Sequence, residues 1–139
     1  RYDAWVPRIG VLRDLADGMQ LFANLSRQYE PPSFGELSGG PGVDLLDAQE
    51  GTTFEIGGRG RWEGRVALDW DVALYWMNLE NELLALQVAP NTFRTVNAAD
   101  TRHGGVELGV AATFAPRWHG RLTWQYNDFR YRNDATYGD

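Results

Sequence analysis

The 139 residues of the chain correspond to about one domain, which is long enough to form a sizeable core. An apolar fraction of 43% that includes 13% aromatic residues excludes a disordered segment, which would contain few aromatic residues. The net charge of −6 argues against a nucleic-acid-binding protein, which needs a basic surface, and the absence of cysteine excludes disulfides, thiolate zinc sites and cysteine nucleophiles.

Six segments alternate apolar and polar residues and predict β-strands, because successive side chains of a strand point to opposite faces. In chain order they cover residues 5–12, 19–29, 52–62, 65–77, 105–114 and 121–132. The first is the weakest, because Pro7 cannot donate a ladder hydrogen bond. In the second, Phe22 is an exception on the polar side. The fourth is the clearest, and its apolar side consists of Val66, Leu68, Trp70, Val72, Leu74 and Trp76.

The connections between these segments alternate in length. Tight turns are predicted at 13–18, 62–64 and 116–120, whereas residues 30–51 and 77–104 form long connections. The second long connection contains a hairpin of its own, with strands at 81–88 and 92–97 that we expect to extend the sheet strands and turn near Pro90. Short turns at one end and long loops at the other are typical of a transmembrane β-barrel.

The alternation alone does not identify what covers the apolar side. Trp62, Trp76 and Tyr126 lie at predicted strand ends and Trp118 lies in a turn, as expected for the aromatic girdles of a membrane barrel. A soluble antiparallel sheet with one buried face alternates in the same way. No apolar stretch approaches the roughly 20 residues of a membrane-spanning helix. A lipid-facing barrel and a soluble sheet therefore both stay open on the residues alone.

Three collinear segments resemble the strand-and-loop signatures of TonB-dependent outer-membrane receptors. They are residues 21–37 (LFANLSRQYEPPSFGEL), 49–57 (QEGTTFEIG) and 97–109 (NAADTRHGGVELG). The last is similar to the family's strand that opens with a His-Gly-Val-Glu-like motif. Each segment is moderately specific, and their common order makes the resemblance strong.

The resemblance implies an outer-membrane barrel of about 22 strands with a plugged lumen, in a Gram-negative bacterium. Such a receptor imports metal chelates or similar scarce nutrients with energy from TonB. Residues 1–139 would supply about six strands of this barrel, as an all-β antiparallel up-and-down meander without the plug domain. We therefore expect part of a longer protein, folded as an open curved sheet with unpaired edges.

Residues at the long-loop end are the candidate ligand-binding residues. We expect loops 30–51 and 77–104 to capture the ligand, and an anionic chelate favours arginine charge and aromatic stacking. The same side chains are also compatible with hydrogen bonds inside the loops or contacts with the plug. The predicted ligand-binding residues are Arg27, Tyr29, Phe34, Phe93, Arg94, Arg102 and His103.

No catalytic residue, metal site or cofactor is predicted. The two histidines, His103 and His119, lie at opposite ends of the predicted strands, so neither is placed as a catalytic base. Asp69 and Asp71 share one strand face about 7 Å apart, as expected for charges on a lumen wall. The glycine-rich residues 57–60 precede no helix, so close packing or sheet curvature is expected there rather than phosphate binding.

Two alternatives to an energised receptor follow from the same strands. One is a passive outer-membrane porin or autotransporter barrel, which would have no plug and no TonB partner. The other is a soluble β-barrel or sandwich that binds an apolar ligand and needs no detergent. The identity of the imported molecule does not follow from these residues.

Overall fold

The computed structural model describes residues 3–15, 18–37, 45–98 and 100–132. Within these ranges the chain forms eight strands and one short helix, α1 (Phe34–Leu37). The strands are β1 (Arg8–Asp14), β2 (Gln20–Glu30), β3 (Gln49–Trp62), β4 (Ala67–Glu80), β5 (Leu83–Ala89), β6 (Thr92–Asn97), β7 (Thr101–Ala115) and β8 (Trp118–Tyr131).

Six strands form one antiparallel sheet in the order β1-β2-β3-β4-β7-β8. Each strand except β1 and β8 has a hydrogen-bonded neighbour on both sides, and β1 and β8 are not paired with each other. The sheet is therefore open within the described residues. This arrangement confirms the predicted all-β up-and-down meander.

The connections fall at opposite ends of the sheet, as predicted. Residues 63–66 join β3 to β4, and Pro116 and Arg117 join β7 to β8. We call this end the turn end, and the opposite end, where residues 31–48 and 81–100 connect strands, the loop end. The long strands reach further towards the loop end than predicted, because β4 continues to Glu80 and β7 begins at Thr101.

The hairpin inside the second long connection is confirmed, but its predicted continuity with the sheet is wrong. β5 and β6 pair only with each other, as a separate two-stranded sheet. Asn81 lies between β4 and β5, and its φ of 56° places its backbone in the left-handed region. The hairpin turns at Pro90 and Asn91, where Asn91 has a φ of 60°. Asparagine tolerates this conformation better than most residues.

The register collects the apolar side chains on one side of the six-stranded sheet. Cross-strand partners point the same way, so one row joins Ala23, Ile56, Leu74, Val106 and Tyr126. We call this side the apolar face and the opposite side the polar face.

No second layer of polypeptide covers the apolar face within the described residues. Leu74, Leu122 and Trp124 on this face are 51%, 63% and 52% exposed. The large hydrophobic side chains that are buried among the described residues are Leu46 and Leu79, both near the loop end. The described residues therefore form a single-layered sheet with one uncovered apolar face.

Several glycines lie directly opposite large side chains, which occupy the space that a glycine side chain would fill. Phe22 pairs with Gly57 on the polar face, and its ring lies where a Cβ of Gly57 would be. Tyr75 pairs with Gly105 in the same way. The space left by Gly57 explains why the apolar side chain of Phe22 lies on the polar face. The close packing expected around residues 57–60 is confirmed.

Gly105→Ala tests this packing. A Cβ at Gly105 would lie 2.5 Å from the carbonyl oxygen of Tyr126 and 2.6 Å from the ring of Tyr75. Because backbone cannot move aside cheaply, we expect the free energy of unfolding to fall by about 1–3 kcal/mol. Urea unfolding followed by tryptophan fluorescence measures the change.

Gly104→Ala is the matched control. A Cβ at Gly104 would meet its nearest neighbour, an atom of the Trp76 ring, at 3.4 Å, which is ordinary contact. We expect a change within about 0.5 kcal/mol. Equal destabilisation by the two substitutions would contradict the packing explanation.

Candidate functional site

The loop between β2 and β3 begins with a capped helical turn. The backbone N–H of Ser33 donates to Oε2 of Glu36 at 2.6 Å, and the N–H of Glu36 donates to Oγ of Ser33 at 3.4 Å. The backbone hydrogen bond from Ser33 is the main cause that lowers the pKa of the Glu36 carboxyl, and the Ser33 hydroxyl lowers it further. This reciprocal capping box fixes α1 and with it Phe34, which is 86% exposed. The Ser-x-x-Glu spacing could have predicted it.

Asn97 joins the two long loops at their bases. Its Oδ1 accepts the N–H of Asp47 at 2.8 Å, and its Nδ2 donates to the carbonyl oxygens of Asp47 and Asn81 at 2.9 Å each. A further bond links the same regions, from the N–H of Leu83 to Oε1 of Gln49 at 3.1 Å. The first loop and the β5–β6 hairpin are thus held as one unit.

A second cluster lies on the polar face at the loop end. Nε2 of His103 lies 3.6 Å from Oε2 of Glu82 and 3.1 Å from Oγ1 of Thr101. The His103 ring also packs on Phe129, with ring centroids 4.4 Å apart. The side chains of His103 and Glu82 are only 16% and 18% exposed. Their contact ties the hairpin base to β7.

The seven predicted site residues all lie at the loop end, but they divide between two faces and the loops. By register, Arg27, Tyr29 and Arg102 belong to the apolar face, whereas His103 belongs to the polar face. Phe34 lies in the first loop, and Phe93 and Arg94 lie on β6. The structure therefore does not bring the seven together around one point.

A groove of about 220 Å³ lies between the two loops. Its lining residues are Leu45, Leu46, Arg94, Thr95, Val96 and Asn97. Arg94 supplies a cation and the 92% exposed Leu45 supplies an apolar surface, a combination that suits an amphipathic anion. The contribution of Leu45 and Leu46 was missed, because no local pattern in the sequence relates them to Arg94.

The polar face is lined with hydrogen-bonding groups. Tyr75 donates from its hydroxyl to Oδ1 of Asn127 at 2.6 Å, and Nη1 of Arg61 lies 3.7 Å from Oδ1 of Asp69. Asp71 and Glu107 line a shallow recess near the middle of this face. Asp69 and Asp71 both lie on the polar face, as the alternation of apolar and polar residues in the sequence predicts.

Within residues 3–15, 18–37, 45–98 and 100–132, no group of three or more potential ligands could hold a metal ion. The described helix is too short and not apolar enough to span a membrane.

Comparisons with known proteins identify the architecture. The whole chain, residues 1–139, matches the family model described as TonB dependent receptor-like, beta-barrel. A search among curated proteins found no match.

Two similar solved structures are the copper transporter OprC and the pyoverdine outer membrane receptor FpvA from Pseudomonas aeruginosa PAO1, bound to pyoverdine. OprC has a TM-score of 0.69 and 20% identity, over 86% of this chain and 20% of that one. FpvA has a TM-score of 0.68 and 20% identity, over 93% of this chain and 19% of that one. The chain thus spans about a fifth of each, and at this identity the likeness shows the fold.

Asn97→Ala tests whether Asn97 joins the loops. Loss of the Asn97 side-chain amide removes the acceptor for the backbone N–H of Asp47. We therefore expect hydrogen exchange at the Asp47 backbone N–H to become about tenfold faster. Hydrogen–deuterium exchange with peptide-level mass spectrometry reports the change.

The matched variant is Asn97→Asp, which keeps an oxygen acceptor for the Asp47 N–H but loses both donated bonds. We expect exchange at Asp47 to be slower in this variant than in Asn97→Ala. Identical exchange in the original protein and in Asn97→Ala would show that the amide does not hold the loops.

Proposed function

Because the chain belongs to the β-barrel family of TonB-dependent receptors, we propose that it forms part of the barrel wall of an outer-membrane importer. The proposed cargo is a metal chelate of the siderophore type or a similarly scarce nutrient. Import would draw energy from the TonB complex of the inner membrane. Proteins of this family are receptors and transporters rather than enzymes, and their barrels lie in the outer membrane of Gram-negative bacteria.

The observation that carries the proposal is the junction of the two long loops. Asn97 holds loop 30–51 against the β5–β6 hairpin of loop 77–104, and the groove beside this junction presents Arg94. A groove of about 220 Å³ is smaller than the roughly 300–1,000 Å³ of typical ligand pockets. We infer that it contributes one wall of a larger binding site completed by other parts of the receptor.

The nature of the cargo is inferred from charge and from the two structural relatives. The names of those relatives specify copper in one case and pyoverdine in the other. An arginine beside apolar surface fits an anionic chelate, because the guanidinium donates to carboxylate or phenolate-type oxygens while the surface accepts the apolar parts. The cargo metal would be held by the chelator and not by the described side chains.

The predicted site residues receive unequal support in this proposal. Phe93 and Arg94 on the hairpin and Phe34 on α1 project from the loops proposed to bind the ligand. His103 lies on the polar face, towards the proposed lumen. For Arg27, Tyr29 and Arg102, a role in binding the imported ligand is less well supported, because the register assigns them to the apolar face.

Ligand capture would be coupled to energy input through differential binding. A ligand held by the loops and the plug together favours the plug conformation that it contacts best. TonB would then engage the receptor preferentially in that conformation. The family match favours this mechanism over the passive porin, the autotransporter and the soluble barrel.

Arg94→Ala in the complete receptor tests the proposed binding groove. Removal of one charge-assisted contact should weaken binding of a ferric chelate about tenfold, which corresponds to about 1.4 kcal/mol. Binding of a radiolabelled ferric siderophore to whole cells measures the affinity. Uptake of the same label should also require an intact TonB gene, whereas binding should not.

Two controls make the test specific. Arg94→Lys keeps the positive charge and should retain most of the affinity, whereas Arg13→Ala removes a charge near the turn end and should change nothing. Unchanged binding in Arg94→Ala across a panel of ferric chelates would remove this groove from the proposed site. Uptake that persists without TonB would contradict the energised mechanism.

A further inference from the structure

Two arginines lie side by side on the apolar face at the loop end. Arg102 of β7 and Arg130 of β8 are direct cross-strand partners. Like charges directly opposite each other on one face of a sheet are destabilising. This pair is therefore expected to have a counter-charge.

Among the described residues, Asp128 makes direct contacts with only one of the two arginines. Asp128 accepts from Nε of Arg130 at 3.0 and 3.1 Å and lies 2.8 Å from its Nη2. Arg102 instead stacks on the ring of Trp76, with 4.5 Å from its Cζ to the ring centroid. Among the residues that the structure describes, no carboxylate forms a salt bridge with Arg102. Asp128 also attracts Arg102 at longer range, so the two arginines share one carboxylate.

The pair lies at the edge of the apolar face. Trp76 belongs to the row next to that of Leu74 and Val106, and Arg102 and Arg130 belong to the following row. Tryptophan is enriched where a membrane protein meets the interface between lipid tails and headgroups. The two guanidinium groups thus lie one row closer to the loops than Trp76. In a membrane, this is the level at which lipid phosphates would lie.

We propose that Arg102 and Arg130 bind the phosphate group of a lipid in the outer leaflet of the membrane. The proposal rests on the proposed function, which places the sheet in the outer membrane with its apolar face towards lipid. A guanidinium donates in a fork that matches phosphate oxygens. The described contacts of Arg130 use Nε and Nη2, which leaves Nη1 to donate to the lipid.

The two arginines belong to the apolar face, which favours a lipid over the imported ligand as their partner. The imported ligand would bind in the loops or on the polar face, whereas Arg102 belongs to the opposite face from its neighbour His103. The Arg130–Asp128 pair does not exclude a phosphate, because exposed ion pairs of this kind are weak. A lipid phosphate bound here would bring a second negative charge to the two arginines and Asp128, and the acyl chains of the lipid would lie along the apolar face.

The test uses the complete receptor, purified in an uncharged detergent, with phosphatidylglycerol as the probe. Native mass spectrometry counts bound lipids for the original protein and for the double variant Arg102→Gln, Arg130→Gln. We expect the affinity of the tightest phosphatidylglycerol site to fall about tenfold in the double variant. Phosphatidylcholine with the same acyl chains carries the same phosphate beside a choline cation, so it should bind the original protein more weakly and should also lose affinity in the double variant.

Arg61→Gln is the control for net charge, since Arg61 lies on the polar face and its loss removes one positive charge without touching the proposed site. Equal phosphatidylglycerol binding by the original protein and the double variant would overturn the proposal. An equal loss in Arg61→Gln would also overturn it, because the effect would then be one of overall charge.

Two further measurements separate this proposal from the proposed function. The difference in gel mobility between unheated and boiled samples shows whether the double variant is folded. The double variant Arg102→Lys, Arg130→Lys should recover part of the lipid binding. A complete protein that stays soluble without detergent would instead refute the membrane placement itself.

Discussion

The structure depends on a ladder of backbone hydrogen bonds that is built without a conventional core. Six strands satisfy one another's N–H and C=O groups, while no described segment covers the apolar face. Where water is absent, only helices and closed barrels satisfy every backbone hydrogen-bonding group. Among the described residues the sheet is open at β1 and β8, so the outer edges of these two strands are the part of the ladder without a partner strand.

The same ladder explains why so much of the sheet depends on glycine. A glycine in a cross-strand pair leaves room for the side chain of its partner to lie across the backbone. Phe22 and Tyr75 use the room provided by Gly57 and Gly105 on the polar face. The polar face can therefore carry bulky groups close to the backbone.

The loop end combines two chemistries on opposite sides of one wall. On the polar face, His103 meets Glu82 at the base of the hairpin. On the apolar face, Arg102 stacks on Trp76 beside Arg130. A single strand, β7, therefore carries a group directed to the proposed lumen and a group directed to the proposed lipid at consecutive positions. The loops above this boundary are joined by Asn97, so motion of one loop would be transmitted to the other.

The strands and the two faces of each strand could be predicted from the amino-acid sequence, because they follow from a local period of two residues, and the short turns and long loops follow from where that period stops. The opposite faces of Arg102 and His103 also follow from that period. Three features became visible only in the folded chain: Asn97 meets Asp47, Phe22 covers Gly57, and the β5–β6 hairpin forms its own sheet. These features depend on how far neighbouring strands slide past one another and on long loops that fold back, and no local pattern fixes either distance.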